Sequence, residues 1–115
     1  MKKKKILDLD NKKIWHPFTQ SKNEIEPIII DHGKDEKIFD IDGKAYVDFI
    51  SSWWVNIHGH AKEEIAHVIF KQAKKLEQVV FAGFSHEPAV LLAEKLTKLL
   101  PKNLSRVFYS DNGST

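Results

Sequence analysis

The 115-residue sequence contains no cysteine, which excludes a disulfide framework and a thiolate metal site. It also lacks a long uncharged apolar run, and its longest stretches fall far short of the roughly 20 residues that cross a bilayer as a helix. No membrane partner is expected. Nor is charge of one sign in excess. Eighteen Lys and Arg against 16 Asp and Glu leave a net charge of +2, a balance that makes no general case for nucleic acid or an acidic membrane surface. Near the start, Ile6-Leu7-Asp8-Leu9-Asp10 places acids where a secretory signal needs unbroken apolar sequence. No signal peptide is expected, and a cytoplasmic protein fits best. With 42% hydrophobic residues, the chain supports one modest core, or part of one.

What the chain does have is local pattern. Residues 1–13 carry Lys2 to Lys5 and Lys12-Lys13 without sustained periodicity and read as a flexible basic tail, with a phosphate-binding arm as the alternative. Ile14-Trp15-His16-Pro17-Phe18-Thr19-Gln20 sets two aromatics and an imidazole around a proline that biases His16 toward extended backbone. A docked arm is the natural form. Pro27-Ile28-Ile29-Ile30-Asp31-His32-Gly33 predicts a β-branched strand closed by a turn. The runs 37–41 and 44–49 flank Asp42-Gly43, a dipeptide suited to the positive φ angles of a type I′ hairpin. A small antiparallel sheet therefore leads into Ser51-Ser52-Trp53-Trp54-Val55-Asn56-Ile57-His58-Gly59-His60. On a strand, adjacent Trp side chains point to opposite faces unless the chain bends. One ring is then available to a surface or pocket; packing of both between layers or at a subunit contact is the alternative.

From Lys62 to about Val80, Ile65, Val68, Ile69, Ala73, Leu76 and Val80 follow helical spacing. A second amphipathic helix is predicted to about Leu100, with Ser85 as a candidate N-cap and Pro101 forbidding continuation. Ser105-Arg106-Val107-Phe108-Tyr109 predicts a short buried strand that delivers Ser110-Asp111-Asn112-Gly113-Ser114-Thr115 at its carboxyl end. Backbone N–H groups there suit a phosphate, while a plain polar turn is the alternative. His58-Gly59-His60 invites a metal, yet no third ligand stands at a convincing spacing. His16, His67 and His86 lack an orienting partner in sequence and read as structural. No nucleophile elbow supports a hydrolase.

Taken together, Ile14-Trp15-His16-Pro17-Phe18-Thr19, Asp42-Gly43, Ser51-Ser52-Trp53-Trp54, Ile57-His58-Gly59 and Ser110-Asp111-Asn112-Gly113-Ser114 resemble the start of the adenosylmethionine-8-amino-7-oxononanoate aminotransferase family, within the class III aminotransferases. The resemblance covers residues 14–115. It implies an α/β fold, the N-terminal part of a type I pyridoxal-phosphate-dependent transferase: residues 14–60 as arm and small-domain antiparallel sheet, and 61–115 as two helices and the start of the cofactor-binding domain. It further implies pyridoxal 5′-phosphate as cofactor, a homodimer with sites at the subunit interface, and amino transfer from S-adenosyl-L-methionine to 8-amino-7-oxononanoate in biotin biosynthesis. The family's substrate contacts fall on Trp53, with Trp54 beside it, and on Phe18, where relatives often carry Tyr; contact at Phe18 is then apolar. Its phosphate-binding pair falls on Gly113 and Ser114. The family's Schiff-base lysine lies beyond residue 115, so no catalytic residue is expected in this chain, and the chain alone is expected to be inactive. A piece of another class III aminotransferase, or a non-enzymatic α+β interaction module, is the alternative.

Overall fold

The structure, a computed structural model, describes residues 2–20 and 25–111. The chain divides into two units, Met1–Phe70 and Lys71–Thr115, with the division inside a helix.

In the first unit, helix α1 (Lys2–Lys13) occupies the stretch expected as a tail. Lysine and leucine are good helix formers and neither Pro nor Gly interrupts them. Lys12 and Lys13 sit in the last turn, where cations suit the negative end of the helix dipole. Lys3 pairs with Asp42, and Asp10 Oδ2 lies 2.8 Å from His16 Nε2, so the helix is tied at both ends.

Strands β1 (Ile30–Lys34), β2 (Lys37–Asp40) and β3 (Ala45–Val47) form the expected antiparallel sheet in the order β1-β2-β3. The first strand begins later than predicted, and its register shifts between Ile30 and His32. Gly33 is not the closing turn: it pairs with Ile38 within the strand, and the reversal falls at Asp35 and Glu36. The β2–β3 connection lies where Asp42-Gly43 placed it, but the turn is not type I′. Only Gly43 of the pair has positive φ (85°), and its N–H donates to Asp40 O at 2.9 Å, the pattern of a turn followed by a left-handed glycine. The Asp40 carboxylate holds this loop, accepting the N–H groups of Asp42 (3.0 Å) and Lys44 (2.8 Å) and the Tyr46 hydroxyl (2.9 Å).

Helix α3 (Glu63–Lys75) has Glu63 and Glu64 in its first turn and Lys74 and Lys75 in its last, both complementing the dipole. It stops at Lys75, short of Val80, and Gln72 Nε2 donates to Leu76 O at 2.7 Å just beyond its end. In the second unit, α4 (Glu87–Leu99) starts after His86, not Ser85, and its cap makes no side-chain hydrogen bond. Leu100 is extended, as the residue before Pro101 must be. Ser105–Tyr109 forms no strand: among the described residues no neighbouring strand pairs with it. Tyr109 instead donates its hydroxyl to Ala89 O at 2.6 Å.

Candidate functional site

Beyond β3 the backbone does something a pattern of side chains does not announce. Ser51, Ser52, Trp53 and Trp54 have φ of 47°, 47°, 68° and 65°, so α2 (Ser51–Trp54) is one left-handed turn of four non-glycine residues. Trp54 N–H donates to Ile50 O at 2.7 Å and Val55 N–H to Ser51 O at 3.0 Å. For L-residues this conformation costs about 1–2 kcal/mol each, so the surroundings must impose it.

The bonds around the turn meet at Asp48. Its own N–H donates to Glu36 O at 2.9 Å and its carbonyl accepts Ser51 N–H at 3.2 Å. Its Oδ2 accepts the Ser52 hydroxyl at 2.7 Å and lies 2.8 Å from His60 Nε2. Ser52 N–H and Oγ–H, then the His60 ring, hold the carboxyl at about 2, well below its ordinary range. The Asp48 side chain is 7% exposed and that of His60 15%. His60 is fixed in turn by paired backbone bonds with Asp35, at 2.7 and 3.1 Å. Asn56 Nδ2 stands 3.4 Å from its Nδ1. With the amide donating there, the ring's proton belongs on Nε2, toward Asp48. A Cβ on Gly33 would meet His60 Cβ at 2.6 Å, and one on Gly59 (φ 87°) would meet Asp35 O at 3.0 Å. Both glycines let backbone and imidazole approach. Lys62 Nζ bonds Asp35 Oδ1 at 2.5 Å, which lowers the Asp35 carboxyl and raises the Lys62 ammonium. A cleft of about 430 Å³ opens among Asp48, Ser51, Asn56, His58, His60 and Lys62.

The left-handed turn replaces the strand alternation and sends both indoles to one region. Trp53 and Trp54 have ring centroids 5.2 Å apart at 51°, and Phe18 stacks on Trp53 at 5.8 Å and 23°. Phe18 is itself at positive φ (60°), and Thr19 Oγ1 donates to His16 O at 2.7 Å beside it. The three rings are 94%, 60% and 70% exposed for Phe18, Trp53 and Trp54. They form an open aromatic wall able to take a flat, aliphatic or cationic ligand. Thus the three residues singled out for substrate contact converge. Gly113 and Ser114 lie outside the described residues. Among the described residues no group of three His, Asp or Glu is placed to hold a metal. Sequence reasoning missed Asp48 and weighed His60 only as a metal ligand, since a carboxylate and an imidazole 12 positions apart have no diagnostic spacing.

Residues 18–115 match the sequence model of the family described as aminotransferase class-III. The chain belongs to the class III aminotransferase family. Among curated members of this family, it is 53% identical over 102 residues to the adenosylmethionine-8-amino-7-oxononanoate aminotransferase of Synechococcus elongatus, covering 89% of this chain and 24% of that one. The crystal structure of the enzyme of that name from Methanocaldococcus jannaschii superimposes with a TM-score of 0.91 at 39% identity, over 97% of this chain and 26% of that one. The omega transaminase of Pseudomonas jessenii, solved in complex with PMP, gives 0.77 at 27% identity, over 84% and 22%. This class III aminotransferase chain thus spans about a quarter of the length of the relatives it matches, and its α/β fold is that of the N-terminal part of pyridoxal-phosphate-dependent transferases. No helix among the described residues is long and apolar enough to cross a membrane.

Proposed function

We propose that this chain is the N-terminal part of an adenosylmethionine-8-amino-7-oxononanoate aminotransferase, which moves an amino group from S-adenosyl-L-methionine to 8-amino-7-oxononanoate in biotin biosynthesis. The observation that carries the reading is the convergence of Phe18, Trp53 and Trp54 on one wall, in a chain 53% identical to a relative of that name. Indole faces hold a sulfonium by cation–π attraction and equally pack an aliphatic chain. One wall then serves both substrates in turn, and Phe18, without a hydroxyl, contributes apolar contact only. Residues 14–60 act as arm and small-domain sheet, and 61–115 open the cofactor-binding domain. The whole enzyme works as a cytoplasmic homodimer without nucleic-acid or membrane partners.

Pyridoxal 5′-phosphate, when bound, supplies the electron sink for amino transfer. Gly113 and Ser114 would hold its phosphate, for backbone N–H groups and a hydroxyl are the donor set a phosphate takes. Ser114→Ala, measured by dialysis and cofactor titration in the full-length enzyme, should weaken binding roughly ten- to a hundredfold, since one hydrogen bond to a charged group is worth about 1.5 to 3 kcal/mol. Gly113→Val should weaken it more by crowding the backbone approach. Wild-type affinity in both would remove the pair from the site. The reaction itself is tested by incubating the full-length enzyme with both substrates and detecting 7,8-diaminononanoate by mass spectrometry. Turnover with other amine donors but none with S-adenosyl-L-methionine would move the chain to another branch of the class.

A further inference from the structure

The left-handed turn is not self-sustaining. It contains no glycine, and all four of its residues prefer negative φ. Relaxed to an extended chain, Ser51–Trp54 would turn the two indoles to opposite faces, and the wall formed with Phe18 would be lost. Something outside the turn must therefore select its hand.

We propose that Asp48 is the positioning residue of the aromatic wall: by holding Ser52 and His60 together it locks the left-handed turn and sets the angle at which Trp53 and Trp54 meet a substrate. The proposal rests on the reading of Trp53 as a substrate contact. Its geometry runs from the sheet outward. Glu36 O receives Asp48 N–H at 2.9 Å and anchors the main chain. The carboxylate then grips the second residue of the turn, and its hydroxyl bond is 2.7 Å long. His60 Nε2 stands against the same oxygen at 2.8 Å, and His60 is itself seated against the backbone of Gly33 and bridged to Asp35. Ser52 is covalently next to Trp53, so a movement of the grip is passed directly to the ring. The carboxylate takes three donors, the Ser52 N–H as well as the Ser52 hydroxyl and the His60 ring, whereas an amide has a single acceptor oxygen with two lone pairs and an NH₂ that only donates. Asn at position 48 cannot satisfy all three.

The test uses the full-length aminotransferase carrying this sequence, with two independent readouts. Indoles 5.2 Å apart couple, and their exciton couplet in circular dichroism reports the turn without reference to catalysis; Trp53→Phe identifies the signal by abolishing it. Asp48→Asn should abolish or invert the couplet with helix content retained. It should also lower kcat/KM for S-adenosyl-L-methionine, by up to roughly a hundredfold for a displacement of about 1 Å, mainly through KM. Ser52→Ala removes one hydroxyl and should give a smaller change of the same sign, which keeps the test decisive should Asp48→Asn fail to fold. A parent enzyme without a couplet, or an unchanged couplet in the variants that fold, overturns the proposal. A couplet lost in Asp48→Asn with kinetics unchanged leaves Asp48 as the lock of the turn but removes the wall from substrate binding, and so overturns both the positioning role and the substrate reading of Trp53.

Discussion

Trp53 keeps 60% of its surface exposed while it stacks on Phe18 and meets Trp54. An indole left so open is useful where a ligand completes its burial. Trp53→Ala in the full-length enzyme should cost about 2 kcal/mol in transition-state binding, roughly thirtyfold in kcat/KM, with bound cofactor retained; unchanged kinetics with both substrates would dissociate the wall from the chemistry. Asp48 makes a second prediction at this scale. Held at about 2 against an ordinary 3.8, its folded-state value lies below the unfolded one. Its stabilisation is therefore complete above pH about 4 and is lost as pH falls toward 2. Acid titration followed by the indole couplet should show a transition in that window, and Asp48→Asn should lack it.

At the scale of the element, two small devices decide geometry. Gly33 stands inside β1 because the His60 ring occupies the space its side chain would take, with Cβ and Cγ 2.6 and 2.7 Å from an added Cβ. Gly33→Ala must push His60 away and should cost about 1–3 kcal/mol, typical of overpacking. A thermal melt measures the loss, and a couplet that weakens along with it would place the strain on the turn. In the hairpin, Asp40 is buried, 8% exposed. Its carboxyl is lowered first by Lys44 N–H, with further help from the Tyr46 hydroxyl, and it raises the Tyr46 phenol in return. Asp40→Asn should bring phenolate formation at Tyr46 to lower pH in an ultraviolet titration and loosen the β2–β3 turn. An unmoved phenol would mean that the bond does not form in solution.

For the whole molecule, surface decides. No apolar residue among those described is buried, and Ile65, Val68 and Ile69 on α3 and Leu92, Leu96 and Leu99 on α4 stay exposed. These lie on the apolar stripes that periodicity marked out, and a chain that leaves them open lacks the burial that makes unfolding cooperative. The isolated 115-residue chain should bind a hydrophobic dye, self-associate, and melt without a sharp transition. A sharp, dye-free, monomeric transition would show that this quarter of the fold is stable alone.

The place of the hairpin, the two amphipathic helices and the aromatic pieces were legible in the sequence because each depends on neighbours a few positions apart: alternation, helical spacing, and a turn dipeptide, whose type I′ geometry the structure nevertheless replaces. Family membership was legible for the same reason, being carried by short contiguous pieces. Other features were not. The tail that became α1 is stabilised by partners as distant as Asp42. Ser105–Tyr109, read as a strand, finds no strand beside it among the described residues, and β-structure is a property of the pair. The hand of the Ser51–Trp54 turn runs against the preference of every residue in it, and only the convergence of Asp48, Ser52 and His60 in space supplies the free energy that reverses that preference.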